Sequence, residues 1–169
     1  MAFDATVGGP DATSYASTDE ADDFFADRNA PAWNSASFED QEAALSLATD
    51  YLETEYIGRW AGSIASPSQR LSHPRRGVVD PEGRAIPANV IPEPVKRATF
   101  ELAVLSLSGE DLFARNEDDA RVLEVEETVG PITTKTKYQS AVGISRIFPQ
   151  VERFIRPLLS NRRGKLVRT

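Results

Sequence analysis

The stretch that decides the fold is IPEPVKRATFELAVLSLSGEDLF, residues 91–113. Pro92 and Pro94 stand at its start, where proline is tolerated because the first helical turn has no partner for its amide. One face of a 3.6-residue helical period is apolar, at Val95, Ala98, Leu102 and Leu105. Other faces carry further apolar residues, so we expect neighbours on several sides, and Ser108-Gly109 marks the end. The stretch predicts a central buried helix against which the others pack.

Three further helices are predicted around this one. Ser17-Thr18-Asp19-Glu20 is a capping box that opens a short helix through Arg28. Ser37-Phe38-Glu39-Asp40 is a second capping signal, before an amphipathic helix of about 19 residues that ends near Gly58. The apolar stripe of that helix is predicted at Phe38, Ala44, Leu45, Ala48, Leu52 and Tyr56. Phe148-Pro149-Gln150 starts a last helix, which Pro157 kinks or shortens. Trp33 is expected in a loop at the edge of the core.

The first of these helices begins with four carboxylates, at Asp19, Glu20, Asp22 and Asp23. Such a group could hold a metal ion, but acidic residues are also favoured in the first turn by the helix dipole. The second account is preferred, and no metal or cofactor is expected.

Two segments interrupt the helical pattern. Residues 58–91 form a long irregular loop, and loops of this length inside a compact domain tend to be functional. Residues 121–138 contain two alternating β-branched stretches around Val129-Gly130-Pro131, which indicates a β-hairpin. Cross-strand ion pairs between Glu124 or Glu126 and Lys135 or Lys137 would fix its register.

The predicted fold is mainly α: a small helical bundle around a central buried helix, with a long irregular loop, a protruding β-hairpin, a C-terminal helix and a tail. Residues 1–14 form an N-terminal arm, 15–160 a single domain and 161–169 a basic tail.

Charge is unevenly distributed along the 169 residues, although the net charge is only −7. Residues 1–60 hold 13 acids and 2 bases, whereas residues 131–169 hold 9 bases and 1 acid. This division suits head-to-tail contacts between copies, a basic arm that reaches an acidic partner, or a neutralising contact within one chain.

Composition argues against catalysis. There is no cysteine and one histidine, His73, for which a structural or surface role is expected. No phosphate-binding glycine loop, nucleophile motif or metalloprotease motif occurs. No secretory signal and no apolar run of the ~18 residues needed for a membrane span is present. Arginines of the long loop could bind phosphates or carboxylates, at Arg70, Arg75, Arg76 and Arg84.

A set of short motifs follows a familiar order over residues 13–160. They are Tyr15-x-Ser17, Phe24-Phe25, Trp33, Ala43-Ala44-Leu45, Ala48-Thr49, Tyr51-Leu52, Tyr56-x-Gly58-Arg59-Trp60-x-Gly62, Gln69-x-Leu71, Pro74-Arg75-x-Gly77-Val78, Gly83, Ile91-Pro92, Val95, Ala98, Glu101-Leu102-Ala103, Val129-Gly130-Pro131-Ile132, Phe148-Pro149-x-Val151 and Leu158-Leu159. This order resembles the head–tail connector (adaptor) proteins of tailed double-stranded DNA phages and gene transfer agents, sequences that are also labelled DnaT-like. His73 departs from the pattern, where a tryptophan is expected.

The resemblance implies a non-enzymatic ring subunit of the virion neck, made in the host cytoplasm. About twelve copies would close a ring between the portal protein and a tail-side neck or tail-terminator protein, around passing double-stranded DNA. We expect the tail to contact the portal, through Arg162, Arg163, Lys165 and Arg168. The neighbouring subunit would be contacted by hairpin residues, namely Glu124, Glu126, Lys135 and Lys137.

A single-stranded DNA-binding module is the alternative. It would use Arg70, Arg75, Arg76 and the basic C-terminal part of the chain. The negative net charge and sparse aromatic residues weigh against it.

Overall fold

The central helix is present as predicted. A computed structural model of the protein describes residues 2–114, 124–129, 132–137 and 147–160. Helix α4 spans Glu93–Leu107, with Pro92 as its N-cap, and Gly109 follows it with a φ of +89°. A positive φ of this kind favours glycine, which explains the end of the helix. Val95, Ala98 and Leu102 are fully buried, so α4 is the central element of the core.

The other helices, of which all but α2 were predicted, surround α4. Helix α1 spans Thr18–Phe25, α2 Pro31–Ser35, α3 Phe38–Glu55 and α5 Pro149–Ile155, and a 3-10 turn covers Arg156–Leu158. Helix α4 packs against α2, α3 and α5, and α1 packs against α3. The mainly helical fold class is therefore confirmed.

Local capping explains where α1 and α3 begin. Ser17 accepts a hydrogen bond from the amide of Glu20, whose carboxylate accepts one from the amide of Ser17 in return. Ser37 accepts from the amide of Asp40 at 3.2 Å. These bonds satisfy amides that the first turn leaves unpaired, so both predicted helix starts are confirmed.

Two details differ from the prediction. Trp33 lies in the short helix α2 rather than in a loop, because Pro31 starts a helical turn there. Its side chain is buried and donates a hydrogen bond to Asp22. Phe38, predicted on the apolar stripe of α3, is 57% exposed, because it is the first residue of the helix and the buried stripe begins at Ala44.

The long loop and the predicted hairpin each contain a pair of antiparallel β-strands. In the long loop, β1 (Ser63–Ile64) pairs with β2 (Arg75–Arg76). The hairpin consists of β3 (Glu124–Val129) and β4 (Ile132–Lys137), which confirms that prediction. The helices and the long loop belong to one compact unit, and the hairpin belongs to a second.

Candidate functional site

The long loop is held to the helical body by Glu53 of α3. The Glu53 carboxylate accepts hydrogen bonds from the Ser72 amide at 2.9 Å and from the Ser72 hydroxyl at 2.8 Å. The hydroxyl of Tyr15, which precedes α1, donates to the same carboxylate. Burial, and then the charge of Glu53, raise the pKa of Tyr15, so this hydroxyl stays protonated as a donor. One carboxylate therefore joins the N-terminal region, α3 and the loop.

His73 lies beside this anchor and is buried. Its ring contacts Trp60 edge to face at 4.6 Å between centroids and Tyr15 at 5.8 Å. Among the described residues, neither ring nitrogen of His73 has a hydrogen-bond partner. Burial, and then the nearby Arg75 charge, lower the pKa of His73 to about 3. The expected structural role fits this geometry, and His73 occupies an aromatic core position as a neutral ring.

Arg75 is directed to the backbone of its own loop. Its guanidinium donates to the carbonyls of Ala61 at 2.7 Å, Gly62 at 2.9 Å and Ser72 at 3.1 Å. A planar fork with several donors suits such a set of carbonyls. This side chain therefore holds the two sides of the loop together instead of pointing its charge at solvent.

The other loop arginines lie in different surroundings. Arg84 donates to Asp80 at 2.6 Å and to Glu82 at 3.0 Å. Arg70 lines a groove beside α3, and Arg76 is exposed on β2. Arg75 and Arg84, two of the arginines expected to clamp an anion, thus have their guanidinium groups bound to acceptors of the same loop.

The groove beside α3 has a volume of about 560 Å³. One wall is the N-terminal arm, which folds back so that the amides of Thr13 and Ser14 donate to the Asp4 carbonyl. The other wall is the outer face of α3, which contributes Glu39, Glu42, Ala43, Ser46, Leu47 and Asp50. The groove is lined by three carboxylates and by one arginine, Arg70, so we call it the acidic groove.

Two of the four carboxylates at the start of α1 have partners within the chain. Glu20 caps the helix and pairs with Lys96 of α4, and Asp22 accepts from Trp33. In the part of the chain that the structure describes, no group of three potential ligands could hold a metal ion.

The hairpin register places the predicted contact residues in pairs. Glu124 lies opposite Lys137, and Glu126 lies opposite Lys135. Arg162, Arg163, Lys165 and Arg168, expected to contact the portal, lie outside the described residues.

Sequence reasoning missed the role of Glu53. Its position on α3 was visible, since it lies at the boundary between the apolar stripe and solvent. Its partners are 38 and 19 residues away in the chain, and no local pattern connects them.

A family model described as "Putative DnaT-like ssDNA binding protein" matches residues 1–169. No curated protein and no solved structure matches the chain. No helix in the described ranges is both long and apolar enough to cross a lipid bilayer.

Proposed function

Because the chain belongs to the DnaT-like single-stranded DNA-binding family, we propose that it binds single-stranded DNA through its basic C-terminal part, residues 131–169. The family match is the observation that carries this proposal. The 9 bases and 1 acid of residues 131–169 supply the charge that phosphate contacts need. The protein works by binding and carries out no catalysis.

The rest of the chain limits where DNA can bind. Residues 1–130 hold 25 acids and 10 bases. Several of those bases are paired with acids, including Arg84, Lys96 and Arg97. An acidic body repels phosphates at low ionic strength, so binding through the helical surface is disfavoured.

Fluorescence anisotropy with a labelled single-stranded oligonucleotide tests this proposal. Binding should weaken steeply between 50 and 200 mM salt, because counterions are released when cations meet phosphates. The double variant Arg162→Ser/Arg163→Ser should lower affinity and reduce the salt slope. The matched control is Arg84→Ser/Arg97→Ser, which removes two charges that are already paired with acids and should bind like the unaltered chain. Absence of binding at 50 mM salt would contradict the proposal.

The same charge distribution favours a second function, the head–tail connector of a phage or gene transfer agent. In this proposal about twelve copies form a ring in the virion neck, between the portal and a tail-side neck protein. The acidic body is the observation in its favour, since like charge would let double-stranded DNA pass without sticking. The basic tail would contact the portal, and hairpin residues would contact the neighbouring subunit.

Native mass measurement separates the two functions. A connector should assemble into a ring of about twelve copies of the 18.5 kDa chain, alone or when the portal is added, and should leave single-stranded DNA unbound. A DNA-binding module should shift the oligonucleotide without forming that ring. A species that remains a monomer with portal present would count against the connector.

A further inference from the structure

The acidic groove beside α3 has an apolar floor. Phe3 of the arm and Ala43 and Leu47 of α3 line it. Leu47 is 38% exposed although it belongs to an otherwise well-packed helix. When another apolar group covers exposed apolar surface inside a groove, the free energy of the protein falls.

Carboxylates surround this floor. Glu39, Glu42 and Asp50 lie one to two turns apart on the same side of α3. Within residues 2–114 and 147–160, no lysine or arginine forms an ion pair with any of them. The groove therefore suits a segment that is apolar in its middle and basic at its ends.

The chain contains one such segment. Residues 161–169, NRRGKLVRT, carry four bases and no acid, and Leu166-Val167 stands between Lys165 and Arg168. We propose that the groove binds residues 161–169 of its own chain. Leu166 and Val167 cover the apolar floor, and the neighbouring cations meet the carboxylates. This proposal depends on neither function proposed above.

The tail is long enough to reach the groove. The Ser160 amide donates to the Arg59 carbonyl at 2.7 Å, and the Arg59 amide donates to the carbonyl of Tyr56, which caps α3. The groove residues 39–50 lie on that same helix, between about 9 and 25 Å from the cap at 1.5 Å per residue. Six extended residues carry Leu166 up to about 20 Å from Ser160, and the apolar groove residues Leu47 and Ala43 lie about 14 and 20 Å from the cap. A short tether also gives an effective concentration of roughly 1 mM, which favours the contact within one chain.

Zero-length carbodiimide cross-linking of the full chain, followed by peptide mass spectrometry, tests the contact. The reagent joins a lysine amine to a carboxylate that it touches. Lys165 should link to Glu39, Glu42 or Asp50 several-fold more often than to Asp19 or Asp23, which are exposed on α1 and at least as open to the reagent. In an equal mixture of ¹⁵N-labelled and unlabelled protein at micromolar concentration, roughly 10³-fold more links should form within a chain than between chains.

Three variants make the result decisive. Lys165→Arg keeps the charge and removes the amine, so the Lys165 links should disappear. Glu42→Gln/Asp50→Asn should lower the remaining Lys165–Glu39 link several-fold, whereas Asp19→Asn/Asp23→Asn should leave it unchanged. Links spread over the surface in proportion to exposure, or links found only between labelled and unlabelled chains, would overturn the proposal. An unchanged circular dichroism spectrum shows that each variant is folded.

Discussion

His73 should make the stability of this protein depend on pH. It is the only histidine in the chain, so one group alone titrates with an ordinary pKa near 6.5 in the unfolded state. Burial beside Trp60, and then the charge of Arg75, lower the pKa to about 3 in the folded protein. Between these two pH values the unfolded chain binds a proton that the folded chain excludes.

The sign and size follow from this difference. A proton that binds only the unfolded state stabilises that state, so the free energy of unfolding falls as pH drops below 6.5. Each pH unit costs about 1.4 kcal/mol until the folded pKa is reached. The loss between pH 7 and pH 5 is therefore about 2 kcal/mol. Above pH 7 the histidine contributes no pH dependence.

Urea unfolding at pH 7, 6 and 5 measures this loss. Because some of the 26 carboxylates also titrate near pH 5, the comparison with His73→Phe isolates the histidine. The unaltered chain should lose about 2 kcal/mol more than this variant between pH 7 and pH 5. An NMR titration of the imidazole should show a neutral ring at pH 5. Equal losses in both proteins, or an imidazole that is protonated near pH 6.5, would refute the reasoning.

Three substitutions, one in α3 against the loop and two within the loop, should also destabilise the fold, each measured by urea unfolding. Glu53→Ala leaves the Ser72 amide and hydroxyl without their acceptor and should lower the free energy of unfolding by about 2–4 kcal/mol. Glu53→Gln should recover part of that loss. A loss below about 1 kcal/mol in Glu53→Ala would contradict the anchoring role. Gly62→Ala should lower the free energy of unfolding by about 2 kcal/mol or more, because Gly62 has a φ of +69° and a Cβ there would lie 2.1 Å from the Arg76 carbonyl oxygen. The matched control is Gly77→Ala, which should lower it less, because Gly77 has a similar φ but open space around the added Cβ. Arg75→Lys should cost about 1–3 kcal/mol, since an ammonium cannot donate to three carbonyls in the plane of a guanidinium, and unchanged stability would argue against the clamp.

The sequence by itself determined α1, α3, α4 and α5 of this protein and where they start. The capping box at Ser17 and the cap at Ser37 act on amides three residues away, and the prolines at the start of α4 restrict the backbone of its first turn. The 3.6-residue period of α4 likewise identifies the buried face from neighbouring positions. The hairpin followed from two alternating stretches and the turn between them. Interactions of this kind join residues that are close in the sequence, so they can be recognised without knowledge of the fold.

Only the tertiary structure decided how the long loop is held and what its charged residues do. The sequence indicated Arg75 as a candidate to bind phosphates or carboxylates, but it instead donates to carbonyls up to 14 residues away. Glu53 meets Tyr15 across 38 residues, and His73 becomes neutral because distant aromatic rings exclude water from it. Such contacts form only after the chain has closed over long separations, and the free energy that selects them comes from burial of the whole core.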